Sequence, residues 1–193
     1  MKTVFFDIDT QYDFLLPAGA LSVPGAQRIL PAIAQLNHWA AANGIVVVST
    51  MDAHTESDPE FQIWPGHCVK GTLGQRKHES TLLDRRVTIP SHRTSFELAG
   101  AQQVIVEKQS LNCFDNANLI GVLAALGADR YVVYGVVTEY CVALAAKGLL
   151  QTGKPVEIVT DAIETLKRED GDAALRAFTD KGGRLTQVAD IVE

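Results

Sequence analysis

Residues 131–160, YVVYGVVTEYCVALAAKGLLQTGKPVEIVT, contain two apolar runs separated by a helical pattern. The runs cover residues 131–137 and 156–160, and the helical pattern covers residues 139–150, with a glycine and a proline soon after it. Nearly continuous apolar runs are typical of strands in a parallel sheet that is covered on both faces. A strand, a helix and a second strand in this order predict a right-handed β-α-β unit.

The same alternation of strands and helices extends over the rest of the chain. Further apolar runs lie at residues 3–8, 44–50 and 103–106. Further helical patterns lie at Ile29, Ile33, Leu36 and Ala40, at Leu119, Leu123 and Leu126, and at residues 172–180. We therefore predict a single α/β domain over residues 1–193, with a doubly wound, mostly parallel sheet and helices on both faces in a Rossmann-like three-layer arrangement.

The composition argues against two classes of partner. The 193 residues include 17 Lys and Arg against 23 Asp and Glu, which gives a formal net charge of −6. Without a basic stripe to neutralise phosphates, this charge argues against a nucleic-acid partner. No apolar run approaches the roughly 18 residues that a membrane span requires, so we expect no membrane partner.

Two features favour a cytoplasmic location. Asp7, Asp9 and Asp13 interrupt the apolar start of the chain, which argues against a signal peptide. The chain has three cysteines, an odd number, and they lie far apart in the sequence. Such cysteines cannot form a complete set of disulfides, and free thiols are typical of a reducing compartment. The sequence leaves open whether identical chains associate into a homo-oligomer.

One long segment departs from the alternation of strands and helices. Residues 51–100 are polar, contain three prolines and four glycines, and lack sustained periodicity. Four of the five histidines of the chain lie in this segment. A loop region of this length inside a compact domain is usually functional.

Polar residues follow the predicted strands at the points where the strands end. Asp9 follows the first strand, and Asp52 and His54 follow the second. Lys108 follows the third strand, and Cys141 lies just beyond the fourth. Ligands of open α/β sheets bind outside the carboxyl ends of the strands, so we expect these side chains to meet on one rim.

Asp52 and His54, together with His67, have the chemistry of a divalent-metal site. Two imidazoles and one carboxylate suit zinc, iron or manganese, and three protein ligands leave positions open for water or substrate. Asp58 and Glu60 are candidates for a further carboxylate in the same site. The spacing alone favours the plainer interpretation that both histidines are ordinary loop residues.

Asp9, Lys108 and Cys141 form a second set with catalytic potential. Cys141 lies in the first turn of a predicted helix with Thr138 as its N-cap, where a thiolate is favoured. Asp9 is the candidate general base, and we expect Lys108 to lower the pKa of its carboxyl group. Taken singly, these residues are better explained as a capping aspartate, a solvated lysine and a packing cysteine.

Four segments form a more specific pattern. They are D-T-Q-Y-D-F (9–14), V-I-V-E-K (104–108), G-V-V-T-E-Y-C-V (135–142) and V-T-D-A (159–162). In this order they resemble the opening motif, the lysine strand, the nucleophile turn and a later strand end of the isochorismatase-like cysteine hydrolases. The resemblance spans residues 2–165 and implies the isochorismatase-like form of the predicted fold.

Two further segments, D-A-H (52–54) and W-P-G-H-C-V (64–69), resemble the metal segment of the nicotinamidases within that superfamily. Isochorismatases proper lack the nucleophilic cysteine, so the presence of Cys141 argues against their activity. The resemblance implies an amidase of NAD salvage that hydrolyses nicotinamide, a small-molecule substrate, to nicotinate and ammonia through a thioester intermediate.

The resemblance also implies a role for each site residue. The implied catalytic residues are Asp9, Lys108 and Cys141. The implied metal ligands are Asp52, His54 and His67. The ligands would hold one divalent ion, with zinc ahead of iron and manganese, that orients the substrate ring. A cis peptide bond would join Val136 to Val137, and backbone N–H groups near Val137 and Cys141 would form the oxyanion hole. Phe14 and Trp64 would line the pocket.

The sequence departs from the family pattern at two places. Glu60 stands where some nicotinamidases carry another histidine, and residues 109–116 match the pattern loosely, with Cys113 expected to be a packing residue. Two other functions therefore stay open. One is a cysteine amidohydrolase of another small amide, such as a carbamoyl or ureido compound, and the other is a non-catalytic ligand-binding protein on the same fold.

Overall fold

The centre of the protein is a seven-stranded parallel sheet. The computed structural model describes residues 1–192. The strands are β1 Thr3–Ile8, β2 Val46–Asp52, β3 Arg86–Ile89, β4 Gln103–Lys108, β5 Arg130–Gly135, β6 Val156–Ile163 and β7 Arg184–Thr186. Their order across the sheet is β3-β4-β2-β1-β5-β6-β7, and each neighbouring pair is parallel. The prediction of a mostly parallel sheet is confirmed.

Helices cover both faces of this sheet. They are α1 Tyr12–Leu15, α2 Leu30–Ala42, α3 Leu119–Leu126, α4 Ala143–Leu150, α5 Arg168–Thr179 and α6 Val188–Ile191. Leu119, Leu149 and Phe178 of α3, α4 and α5 belong to one buried cluster, and Ile33 and Ile191 of α2 and α6 belong to a second. The predicted three-layer arrangement is confirmed. Within residues 1–192, no helix has both the length and the apolar character needed to cross a membrane.

Strand β1 shows why the apolar runs are continuous. Phe5 packs in the cluster with α2, whereas Phe6 packs in the cluster with α3 and α4. Consecutive side chains of a strand point to opposite faces, and both faces are covered here. Nearly every position of this strand is therefore buried, and apolar residues are favoured on both faces.

The carboxyl end of β1 is the point at which the strand order reverses. Strands β2, β4 and β3 lie on one side of β1, and β5, β6 and β7 lie on the other. Such a reversal opens a crevice in which α/β proteins bind ligands. The register also pairs Asp52 of β2 with Lys108 of β4 across this edge. The sheet thus brings charged side chains from separate strands to one place.

The structure differs from the sequence predictions at element ends and within residues 51–100. Strands β2 and β4 extend to Asp52 and Lys108, because sheet pairing continues past the last apolar residues. Strand β3 lies inside the segment 51–100 and was not predicted, since this edge strand leaves alternate residues exposed and has no long apolar run. Helix α5 begins at Arg168, before the predicted start at residue 172, because its first turn is charged rather than apolar.

Candidate active site

The three predicted catalytic residues lie together at the carboxyl edge of the sheet. Asp9 follows β1, Lys108 ends β4, and Cys141 lies after β5. Nζ of Lys108 is 2.9 Å from Oδ2 of Asp9 and 3.6 Å from Sγ of Cys141. All three residues are buried, with exposures of 1%, 1% and 5% in chain order. A carboxylate, an ammonium group and a thiol are therefore in contact and shielded from water.

Thr50 fixes the position of the Asp9 carboxylate. Its hydroxyl donates a 2.6 Å hydrogen bond to Oδ1 of Asp9 and accepts a 3.1 Å bond from the backbone N–H of Asp9. Asp9 has a φ of 48°, in the left-handed region that few residues other than glycine adopt. Thr50 was not predicted as a site residue. A signal was available, because Thr50 lies two residues before Asp52 and the two side chains therefore share one face of β2.

Lys108 also connects the catalytic residues to the predicted metal ligands. Its Nζ donates a short hydrogen bond to Oδ1 of Asp52 while it contacts Asp9. Burial lowers the pKa of Lys108, but the carboxylates of Asp52 and Asp9 outweigh burial and raise this pKa well above its usual value. Lys108 is therefore a cation that balances two buried carboxylates.

Burial dominates the acid–base properties of Asp9 and Cys141. It raises the pKa of Asp9, and the nearby Lys108 offsets only part of this increase. Burial also raises the pKa of the Cys141 thiol well above its usual value, which Lys108 opposes and Asp9 reinforces. Lys108 lowers the pKa of the Asp9 carboxyl group, as expected, but the net shift is upward because desolvation, which the sequence does not reveal, is the larger effect. The thiol is protonated at rest and needs a base before it can attack.

The predicted metal ligands Asp52, His54 and His67 also lie together. One ligand atom from each of them lies within 4.8 Å of the other two. Oδ2 of Asp52 is 3.8 Å from Nε2 of His54 and 3.9 Å from Nε2 of His67. A carboxylate oxygen and two imidazole nitrogens thus converge on one point.

The other nitrogen of each imidazole lies close to an oxygen atom. Nδ1 of His54 lies 3.0 Å from Oδ2 of Asp58, and Nδ1 of His67 lies 2.8 Å from the carbonyl oxygen of Pro65. A proton on each Nδ1 leaves both Nε2 lone pairs free, which is the usual state of histidines that bind zinc. Among residues 1–192, both ring nitrogens of His54 are buried without a hydrogen bond of standard geometry, and its Nε2 faces the carboxylate of Asp52. The donor set therefore fits a divalent ion.

The two further carboxylates of this region have different positions. Asp58 lies behind His54, on the Nδ1 side. Oε1 of Glu60 lies 3.9 Å from Nε2 of His67, on the side where the ligand atoms converge. Asp58 is therefore placed to orient an imidazole, whereas Glu60 is placed beside the metal-ligand set.

A pocket opens next to both sets of residues. Its polar lining consists of Asp9, Asp52, Glu60, His67 and Cys141. Its apolar walls consist of Phe14, Leu21, Val23, Trp64, Leu111, Val136, Val137, Tyr140 and Leu166. Phe14 and Trp64 line it as predicted. Three of the wall residues were not predicted, because single apolar residues in separate loops produce no periodic pattern. They are Leu21, Leu111 and Leu166.

A comparison with known protein families covers nearly the whole chain. A model of the isochorismatase domain matches residues 3–190. The chain belongs to the isochorismatase family. The family resemblance noted from the sequence motifs is thereby confirmed.

Several relatives of this isochorismatase-family chain are enzymes named for amide hydrolysis. The nicotinamidase of Escherichia coli (strain K12) is 24% identical over 209 residues, covering 95% of this chain and 93% of the relative. The pyrazinamidase of Pyrococcus horikoshii, solved in complex with zinc, is 28% identical with a TM-score of 0.80, covering 97% of this chain and 99% of the other. The pyrazinamidase/nicotinamidase from Streptococcus mutans UA159 is 26% identical with a TM-score of 0.81, covering 96% and 100%. The predicted class, a hydrolase of linear carbon–nitrogen amide bonds, is confirmed.

Cys141, the predicted nucleophile of this isochorismatase-family chain, lies in a π-helical turn. Residues 138–142 form the turn directly before α4, and the peptide bond between Val136 and Val137 is cis, as the resemblance implied. Thr138 is not the N-cap, because its hydroxyl donates a 2.7 Å hydrogen bond to the carbonyl oxygen of Glu164 instead. Single π-helical turns are frequent at functional sites.

The other two cysteines are buried packing residues. Cys68 and Cys113 are 0% and 2% exposed, and each belongs to one of the two buried clusters. Burial raises the pKa of both thiols, that of Cys113 to about 12. Cys141 alone of the three lines the pocket in the part of the chain that the structure describes.

Proposed function

We propose that this chain hydrolyses nicotinamide to nicotinate and ammonia, with Cys141 as the nucleophile. The observation that carries the proposal is that Lys108 forms ion pairs with both Asp9 and Asp52. These pairs connect the Cys141 site to the metal-ligand cluster, and both border the same pocket. A small pocket with apolar walls and a few convergent polar groups suits a flat aromatic amide. The relative named nicotinamidase supports the choice of substrate.

Asp9 acts as the general base toward Cys141. It accepts the thiol proton, and the sulfur forms a bond to the carboxamide carbon while the carbonyl electrons move onto oxygen. The backbone N–H groups of Val137 and Cys141 stabilise the resulting oxyanion.

The proton on Asp9 then goes to the amide nitrogen. The carbon–nitrogen bond breaks, ammonia leaves, and the acyl group stays on Cys141 as a thioester. A water molecule gives a proton to Asp9 and attacks the thioester, after which the carbon–sulfur bond breaks. The thiolate recovers that proton from Asp9, so the enzyme returns to its starting protonation state. The product carboxylic acid gives its own proton to solvent and leaves as nicotinate.

Lys108 keeps Asp9 competent as a base between these steps. Burial favours the protonated carboxyl group, and the ammonium group 2.9 Å away opposes that preference. The same ammonium group lies 3.6 Å from Sγ of Cys141, where it favours the thiolate as the sulfur attacks.

We further propose that Asp52, His54 and His67 hold one divalent ion, with zinc as the first choice and Glu60 beside it. Iron and manganese suit the same ligands. When bound, the ion supplies a Lewis-acid contact for the pyridine nitrogen of the substrate and thereby orients the ring. The carboxylate of Asp58, 3.0 Å from Nδ1 of His54, orients the imidazole ring so that Nε2 faces the ion.

The ring nitrogen is the feature that distinguishes nicotinamide from benzamide, an amide of nearly the same size. We expect kcat/KM for nicotinamide to exceed that for benzamide by about 100-fold or more, because benzamide leaves a polar site unmatched. In His67→Ala the ratio is expected to fall toward one. Ammonia release from both amides, measured side by side, tests this expectation.

Equal turnover of both amides by the unmodified protein would contradict the nicotinamide proposal and would favour the wider class of small-amide hydrolases. Carbamoyl and ureido compounds belong in the same assay, since preference for one of them would identify that alternative. Absence of ammonia release from every amide in the presence of zinc would favour a non-catalytic ligand-binding protein.

The metal-ligand assignment is tested by metal content. The purified protein is expected to hold about one divalent ion per chain, and His54→Ala is expected to lose most of it. Asp58→Ala is expected to weaken binding by about 10- to 100-fold, because it removes the carboxylate behind an imidazole ligand. His38→Ala is the matched control, since His38 is exposed on α2. Elemental analysis that finds the full metal content in His54→Ala would refute the assignment.

A further inference from the structure

Glu139, two residues before the nucleophile, binds a separate loop with its carboxylate. Oε2 accepts a 2.6 Å hydrogen bond from the hydroxyl of Thr165. Oε1 accepts bonds of 2.9 and 3.0 Å from the backbone N–H groups of Leu166 and Lys167. One half-buried side chain thus holds three consecutive residues of the loop between β6 and α5.

Thr138 strengthens the same connection. Its backbone N–H and its hydroxyl both donate to the carbonyl oxygen of Glu164, at 2.9 and 2.7 Å. Together, Thr138 and Glu139 make five hydrogen bonds to residues 164–167. The turn that carries Cys141 and the loop that carries Leu166 are therefore one connected unit.

Leu166 is the residue of this loop that reaches the pocket. Its side chain is half-buried and forms part of the apolar wall near Tyr140, Val23 and Cys141. Its backbone N–H is also the group that Oε1 of Glu139 holds. The Glu139 carboxylate thus links the backbone of this wall residue directly to the turn that carries Cys141, next to the two bonds that Thr138 makes.

We propose that Leu166 is a specificity-determining residue for the amide substrate and that Glu139 is the positioning residue that holds it at a fixed distance from Cys141. This inference rests on the proposed amide hydrolysis. The wall admits a flat six-membered ring and excludes rings with substituents on that side. Catalytic chemistry at Cys141 does not depend on it.

The kinetic test uses nicotinamide together with 5-methyl- and 6-methylnicotinamide. Leu166→Ala is expected to raise KM for nicotinamide about tenfold with kcat little changed, because the ring loses an apolar contact. The preference for nicotinamide over the better methylated amide is expected to fall by about the same factor. Glu139→Ala is expected to change KM and this preference by about three- to fivefold in the same directions. Glu139→Gln keeps an oxygen acceptor for both N–H groups, so its KM and preference are expected to stay near those of the unmodified protein.

A double-mutant cycle tests whether Glu139 acts by positioning Leu166 or by binding the N–H of Lys167 at the start of α5. If Glu139 acts through Leu166, the double variant Glu139→Ala, Leu166→Ala is expected to have the same selectivity as Leu166→Ala alone. Asp161→Ala is the matched control, because Asp161 accepts a 2.9 Å bond from the N–H of Val188 at the start of α6 and does not line the pocket. Additive effects in the cycle, or equal selectivity changes in Asp161→Ala, would overturn the positioning role.

A second measurement does not depend on the substrate. Alkylation of Cys141 by iodoacetamide and by the bulkier N-ethylmaleimide is followed by peptide mass spectrometry. Leu166→Ala and Glu139→Ala are expected to raise the relative rate of the bulkier reagent several-fold, whereas Asp161→Ala is not. Lack of amide turnover by the unmodified protein would refute the proposed hydrolysis only, while an unchanged ratio of labelling rates would refute the wall.

Discussion

Replacing Cys141 with alanine is expected to abolish nicotinamide hydrolysis, with kcat reduced by about 10⁴-fold or more. No other thiol lines the pocket in the part of the chain that the structure describes, and a thioester requires one. The substitution removes one sulfur atom at the start of a helical segment, so we expect folding and metal content to be retained. Ammonia release, thermal unfolding and elemental analysis on the same preparation test these three expectations.

Cys113→Ala is the matched control for this experiment. Cys113 is also buried, at 2% exposure, but its side chain packs in the cluster under α3 and α4. This variant is expected to lose some stability and to keep its turnover. In the unmodified protein, rapid acid quenching followed by mass spectrometry is expected to find the acyl group on Cys141. Substantial activity of Cys141→Ala, or an acyl group on another cysteine, would exclude the proposed nucleophile.

The substitution Lys108→Met is expected to lower the free energy of unfolding by about 3–5 kcal/mol and activity by about 10³-fold or more. Methionine has a similar length but no charge, so the buried carboxylates of Asp9 and Asp52 lose their shared cation. The loss of stability follows because an uncompensated buried charge is costly. The loss of activity follows because Asp9 then favours its protonated form and no longer accepts the thiol proton.

Lys70→Met provides the comparison. Lys70 pairs with Glu107 at 2.9 Å, but its side chain is 59% exposed, so water already solvates the charge. We expect this variant to lose at most about 1 kcal/mol and to keep its activity. Denaturant unfolding of both variants, with kcat measured in parallel, provides the test. Equal stability losses in the two variants would show that Lys108 does not have the role of a buried counter-ion.

The architecture could be predicted because burial on both faces leaves a direct mark in the sequence. Strand β1 was predicted with its observed bounds, since Phe5 and Phe6 both had to be apolar. Helix α3 was likewise predicted to end before Gly127, which adopts a φ of 56°. Strand β3 could not be predicted in this way, because an edge strand with exposed alternate residues has no comparable constraint.

The charged and thiol groups beside the pocket could be predicted for a different reason. Asp9, Lys108 and Cys141 follow strands whose carboxyl ends meet, and their surrounding motifs match a family pattern. The contacts that position these groups could not be predicted. Thr50 bonds to Asp9 across 41 residues of sequence, and Glu139 bonds to the N–H of Leu166 across 27. Such pairings depend on how distant loops pack, and no local spacing encodes them.

The polar groups of the pocket come mainly from strand ends, whereas most of the apolar walls come from loops that the sheet does not constrain. Loops tolerate replacement better than buried parallel strands, because fewer contacts depend on their sequence. Substrate range can therefore diverge among descendants of one ancestor through changes at Leu21, Leu111 and Leu166, with Asp9, Lys108 and Cys141 unaltered. For directed evolution toward other amides, libraries at these three wall positions would leave the proposed nucleophile and its proposed base intact.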